Sequence, residues 1–155
     1  MDYRRLGRAG LKVSEICLGT MTFGNGADQA EARRMVSAML DAGGTFFDTA
    51  NSYVGGTSET MLGEALKGRR HDAIVATKVF NPMGHRPNDS GMSRLHIKQQ
   101  FEASLKRLQP TTSTSTTSIT STIRRRSTRC CAPSTISCAK ARCFTRAART
   151  TRRGG

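Results

Sequence analysis

Three residues in the first half of the chain carry side chains that can pass a proton among themselves: Asp48, Tyr53 and Lys78. Asp48 closes a short apolar run, Thr45-Phe46-Phe47-Asp48. Tyr53 lies in the polar segment just after it, and Lys78 stands near the end of the β-branched run 73–79. A lysine buried in an apolar strand is costly unless it is paired. Asp48 supplies the counter-charge if the two runs are neighbouring strands. An ammonium beside a phenol favours the phenolate, and a tyrosine so tuned can donate or accept a proton at a carbonyl oxygen. The same three residues also fit a structural ion pair beside a surface tyrosine. Spacing alone leaves both readings open.

The elements that must position them alternate in type. Val13 to Leu18 alternates weakly and stops at Gly19, as a short strand would. Asp28 can cap a helix whose apolar positions Ala32, Met35, Val36, Met39 and Leu40 follow the spacing of one buried face. Gly43-Gly44 ends it, because glycine tolerates the left-handed C-cap conformation. The second strand, Thr45 to Asp48, leads into a loop from Thr49 to Gly56. A second helix is predicted from about Thr57 to Lys67, with Met61, Leu62, Ala65 and Leu66 on one side. The run 73–79 is the clearest strand. A third helix spans about Ser93 to Gln109 and places Ile97, Phe101, Leu105 and Leu108 on one face. This order predicts an α/β fold with parallel strands joined by crossovers, covered on both faces. In such folds the loops after the carboxyl ends of strands carry the site, which is where Asp48, Tyr53 and Lys78 fall. Met35, Met39 and Met61 read as core. His71, His85 and His96 read as loop or surface residues without partners at metal spacing. Gly43-Gly44 and Gly55-Gly56 read as turn glycines, since no G-x-G-x-x-G follows a strand.

Length and charge divide the chain. At 155 residues it is one domain's worth, short of the about 250 that a closed (β/α)8 barrel needs. No apolar run approaches the about 18 residues of a membrane span, and no signal peptide is visible at Met1-Asp2-Tyr3-Arg4-Arg5. The expected setting is cytoplasmic, with reduced cysteines. Residues 1–109 hold 15 Lys+Arg and all 11 Asp+Glu; residues 110–155 hold 10 Lys+Arg and no acid. That later segment is rich in Thr and Ser and holds Cys130, Cys131, Cys138 and Cys143. A globular domain does not usually change composition this sharply, so 1–109 and 110–155 are read as separate pieces. As a nucleic-acid-binding arm, the second would bind phosphate backbones weakly and salt-sensitively. It has Phe144 as its single aromatic, so it lacks a stacking platform. No specific nucleic-acid partner is expected, and the cysteine spacing does not make a zinc site.

Six ordered motifs carry a resemblance: Tyr3-Arg4-Arg5-Leu6-Gly7, Gly10-Leu11-Lys12-Val13-Ser14, Leu18-Gly19-Thr20-Met21-Thr22-Phe23-Gly24, Phe46-Phe47-Asp48-Thr49-Ala50-Asn51-Ser52-Tyr53, Ser58-Glu59-Thr60-Met61-Leu62-Gly63 and Ala76-Thr77-Lys78. With them, residues 1–109 resemble the amino-terminal third of an aldo-keto reductase, near the bacterial members related to potassium-channel β subunits. The resemblance implies a partial (β/α)8 TIM barrel, about the first three βα units; the basic tail after it, set apart by its composition, is expected to be disordered. It implies an oxidoreductase that uses NADP(H) without a Rossmann domain and reduces small aldehydes and ketones to alcohols. The family's tetrad is Asp, Tyr, Lys and His; Asp48, Tyr53 and Lys78 match the first three by position. Tyr53 would then be the general acid, tuned by Lys78 paired with Asp48. Gly19, Thr20, Met21 and Asp48 would lie by the nicotinamide, whose hydride carries the chemistry. A barrel interrupted here leaves an open sheet edge prone to aggregation.

The fourth tetrad member, a histidine on the next strand, does not appear. Where that strand should stand, the chain reads Thr111-Thr112-Ser113-Thr114-Ser115-Thr116-Thr117-Ser118-Ile119. Moving the frame back by one base turns each Thr codon into one for Asp, Tyr, His or Asn, and each TCN Ser codon into one for Ile, Leu, Val or Phe. The run then permits Asp-Tyr-Ile-Asp-Leu-Tyr-Tyr-Ile-His, the missing strand with its histidine. The same shift lets Thr128 to Thr145 encode the family's next helix. Residues 110–155 are therefore expected to be an out-of-frame translation, with a base lost or two gained near codon 109. The chain as written is expected to be inactive.

Overall fold

The computed structural model describes residues 1–8, 10–108 and 119–121, the last three as backbone. Two strands come first, β1 (Tyr3–Arg5) and β2 (Lys12–Ser14), paired antiparallel with Arg4 opposite Val13. The parallel sheet begins at β3 (Cys17–Gly19). The predicted strand from Val13 to Leu18 is thus two strands belonging to different sheets. Ser14 is the reason for the break. Its buried hydroxyl donates to Ile16 O at 2.6 Å and accepts from the N–H groups of Thr45 and Phe46 at 3.0 and 3.3 Å. The chain turns there and anchors the start of the next parallel strand.

Helix α1 (Gln29–Asp41) begins where the sequence puts it. Asp28 Oδ1 accepts from the Glu31 N–H at 2.8 Å, and Glu31 Oε2 accepts from the Asp28 N–H at 3.1 Å. This reciprocal box satisfies two otherwise orphaned donors. Its buried stripe is narrower than predicted: Ala32, Val36 and Leu40 are buried, Met39 is partly so, and Met35 is 44% exposed. The i, i+4, i+8 line alone faces the sheet; Met35 sits on the flank and is not core. At the helix end Gly43 takes φ +82°, and the Gly44 N–H reaches back to Met39 O at 2.8 Å.

Strand β4 (Phe46–Asp48), helix α2 (Thr57–Ala65), strand β5 (Ile74–Thr77), helix α3 (Arg94–Leu108) and strand β6 (Ile119–Ser121) follow. The parallel sheet runs β3-β4-β5-β6. With right-handed crossovers, a sheet that grows in one direction gathers its helices on one face. The core agrees. Phe47 and Val75 are both 0% exposed and share a cluster with Val36, Leu40, Leu62, Leu66 and Leu108 from the three helices. Each such side chain contributes about 1.5–3 kcal/mol on burial. Phe46, Asp48 and Ile74 alternate with them and point to the opposite face, where they remain half-exposed. The predicted cover on both faces is met by the described helices on one.

The fold is α/β with a parallel sheet and no closed barrel among the described residues. None of the described helices is long and apolar enough to cross a membrane. Ile119–Ser121 lies in the stretch read as an out-of-frame tail and pairs parallel with β5. The rest of that stretch, with its expected disorder, its cysteines and the nucleic-acid alternative, lies outside the described residues.

Candidate active site

Backbone bonds carry the sheet ladder past the strand ends and so fix the loops that hold the site. The Thr20 N–H bonds Asp48 O at 2.9 Å, the Thr49 N–H bonds Ala76 O at 2.8 Å, and the Asn51 N–H bonds Lys78 O at 3.0 Å. Gly19, Asp48 and Ala76 stand side by side in register. Lys78 is two residues beyond Ala76, so it emerges on the same face as Asp48, one strand away.

That placement brings the three chemistry-bearing residues together. Lys78 Nζ donates to Asp48 Oδ2 at 2.5 Å, to Thr49 O at 3.1 Å and to Tyr53 Oη at 3.4 Å. The three acceptors match the three donors of an ammonium. Nζ also lies 5.2 Å from the centroid of the Tyr53 ring. The Asp48 and Lys78 side chains are each 35% exposed, so the pair is open to solvent on the bare face of the sheet. Partial burial pulls the Lys78 ammonium down, but the hydrogen bond and charge of Asp48, joined by those of Tyr53, outweigh it, and the net pKa is raised above the usual lysine value.

Tyr53 opens a 3₁₀ turn, Tyr53–Gly56. The next residue, Val54, takes φ +49°, a left-handed conformation that is a genuine outlier for a β-branched side chain. Gly55 and Gly56 continue in positive φ and deliver the chain to α2.

Of the residues named for the cofactor, Gly19 and Met21 are exposed, Met21 by 64%, and a Cβ on Gly19 would meet nothing within 4 Å. The Thr20 side chain is 0% exposed and held by protein: its Oγ1 bonds Asp48 O at 3.2 Å and Ser58 Oγ at 2.8 Å. Ser58 Oγ in turn donates to Thr20 O at 2.6 Å and meets Thr49 Oγ1 at 3.2 Å. These buried hydroxyls fasten the carboxyl ends of β3 and β4 to the start of α2.

Behind the site lies an ion pair that the sequence did not announce. Glu59 is 0% exposed; its Oε1 accepts from Thr77 Oγ1 and its Oε2 from Arg107 Nε, both at 2.6 Å. Ser58 and Glu59 stood in a family-like motif with no role attached, and Arg107, 48 residues away, carried no signal at all. His96 was also misread: it is fully buried on α3 and not at the surface, whereas His71 and His85 are exposed. The helix turns His96 inward, one turn before Gln100, so an apolar face counted from Ile97 missed it. No group of three or more His, Cys, Asp or Glu able to hold a metal occurs among the described residues.

Comparison with known proteins gives the chain a family. The model of the Aldo/keto reductase family matches residues 15–113. A probable voltage-gated potassium channel subunit beta from Oryza sativa subsp. japonica is 46% identical over 112 residues, covering 70% of this chain and 34% of that protein. An uncharacterized oxidoreductase, YrpG, from Bacillus subtilis (strain 168) is 45% identical over 121 residues, covering 70% and 37%. The holo form of the aldo-keto reductase AKR11C1 from Bacillus halodurans superposes with a TM-score of 0.61 at 40% identity, again covering 70% of this chain and 37% of that one. The chain belongs to the aldo/keto reductase family, an oxidoreductase family. It spans about a third of the length of these relatives.

Proposed function

We propose that residues 1–108 carry the proton-donating part of an NADP(H)-dependent site that reduces a small aldehyde or ketone to an alcohol. The observation that supports this most is the Lys78 ammonium, held between the Asp48 carboxylate at 2.5 Å and the Tyr53 hydroxyl at 3.4 Å. Gly19, in register with Asp48, leaves open the space that a Cβ would occupy there. Gly19, Met21 and Asp48 would hold a nicotinamide there, with Thr20 fixing the strand end beneath them; the bound cofactor supplies the hydride. Tyr53 gives its proton to the carbonyl oxygen as the carbon is reduced. Lys78 donates to the phenol oxygen and stabilises the negative charge that develops on it. Asp48 keeps Lys78 charged and aimed.

The chain as written holds three of the family's four catalytic groups, because Thr111 to Ile119 replaces the motif that would bring the histidine. We infer that residues 110–155 are read out of frame and that this polypeptide does not turn over carbonyl substrates. Inserting one base near codon 109, and expressing the gene through to the stop codon of the restored frame, tests both statements together. The restored chain is expected to oxidise NADPH with a simple aldehyde, and Tyr53→Phe in it is expected to remove that activity. Turnover by the chain as written, or full activity of the restored Tyr53→Phe variant, would overturn the proposal.

A further inference from the structure

The loop that presents Tyr53 is held on two sides, and one side involves a helix far away in sequence. Asn51 is 1% exposed. Its backbone N–H bonds Lys78 O at 3.0 Å, and its side-chain Nδ2 donates to Gln100 Oε1 on α3 at 3.1 Å. One bond ties the loop to the strand that carries Lys78; the other ties it to the helix that follows that strand. Two residues on, the Tyr53 N–H bonds Ala50 O at 3.2 Å, so the turn that aims the phenol is built directly on Asn51.

The neighbourhood has spare polar capacity. Asn51 Oδ1 is buried with no protein partner, and so are both ring nitrogens of His96, four residues before Gln100 on the same helix. Residues four apart share a helix face. The Asn51–Gln100 bond therefore links the loop to a helix face that carries further buried polar atoms. Meanwhile the contact it supports is a stretched one. At 3.4 Å, Lys78 Nζ to Tyr53 Oη is at the long end of a hydrogen bond, and a small loop displacement removes it.

We propose that Asn51 and Gln100 are positioning residues: their hydrogen bond sets the place of the Tyr53 hydroxyl against Lys78. This deepens the proposed function and rests on it for its importance. The geometry itself is tested without turnover, so the two can fail separately.

The chain has two tyrosines, Tyr3 and Tyr53, and no tryptophan. Labelling the tyrosine ring carbon Cζ with 13C gives two signals from the full chain, assigned with Tyr53→Phe. Lys78→Met shows where the Tyr53 signal moves when the ammonium is lost. Gln100→Leu is expected to move it most of the way to that position, and Gln100→Glu, which keeps the acceptor, is expected to leave it in place. Asn51→Leu should match Gln100→Leu; if that buried variant does not fold, the half-buried Gln100 pair carries the test. Tyr3 donates to Gly43 O at 2.7 Å in a distant part of the fold, and its unchanged signal reports intact structure. A Tyr53 signal unmoved by Gln100→Leu, or moved as far by Gln100→Glu, would overturn the proposal.

Discussion

The two faces of the parallel sheet are made from the same strands and have opposite fates. Phe46 and Phe47 are sequence neighbours of identical chemistry. Phe47 is 0% exposed under three helices, while Phe46 stays half-exposed on the face that the described helices leave bare. Each face also has its ion pair. On the helix side Glu59 is fully buried against Arg107; on the bare side Asp48 and Lys78 are each 35% exposed. One face holds the fold together, and the other exposes the Asp48–Lys78 pair. That pair lies where solvent reaches it. A charge that must only join α2 to α3 is sealed from water.

The sharpest way to break this comparison is the phenylalanine pair. Phe47→Ala is expected to cost about 3–5 kcal/mol in urea unfolding, through lost burial and a cavity. Phe46→Ala is expected to cost about 1–2 kcal/mol, because part of its surface is already in water and no helix packs over it. Equal losses would mean that the bare face is covered in solution. Next in size comes Glu59→Ala, which leaves Arg107 without its carboxylate and is expected to cost about 3 kcal/mol. Lys78→Met on the other face is expected to change stability at neutral pH by under about 1 kcal/mol, as for exposed pairs.

The same lysine gives a pH test with a definite sign. Its folded pKa is raised above the ordinary lysine value of 10.5, so its stabilisation is whole below that pH and is lost as pH rises through the folded value. Urea midpoints of the parent chain and of Lys78→Met should therefore converge in strong alkali, and a constant gap would refute the pairing. The smallest effect expected is a gain. Val54→Gly removes a left-handed β-branched residue but adds freedom to the unfolded chain. The net is a stabilisation of under about 1 kcal/mol, seen as a slightly higher Tm.

Local chemistry was legible without coordinates. Asp28 capped its helix as predicted because a capping box needs only residues three apart. Asp48, Tyr53 and Lys78 were singled out because strand ends and polar interruptions of apolar runs are visible in one dimension. What failed was whatever depended on a distant partner. Ser14 divides a predicted strand because Thr45 and Phe46 arrive beside it. His96 is buried by packing that its own helix does not encode. Met35 lies exposed because the helix's contact stripe is set by the sheet beneath it.

By itself, then, the sequence determined the alternation of strands and helices from Asp28 to Leu108, the cap at Asp28, the family-like motifs and the change of composition after residue 109. These follow from periodicity, turn chemistry and local spacing. Tertiary structure alone decided which face of each strand is covered, that Lys78 has an acceptor for each of its three protons, and that Glu59 meets Arg107 and Asn51 meets Gln100. Those facts depend on register and crossover, which bring together residues 25 to 49 positions apart. Hydrogen bonds act over about 3 Å, and no pattern read along the chain reports a distance through space.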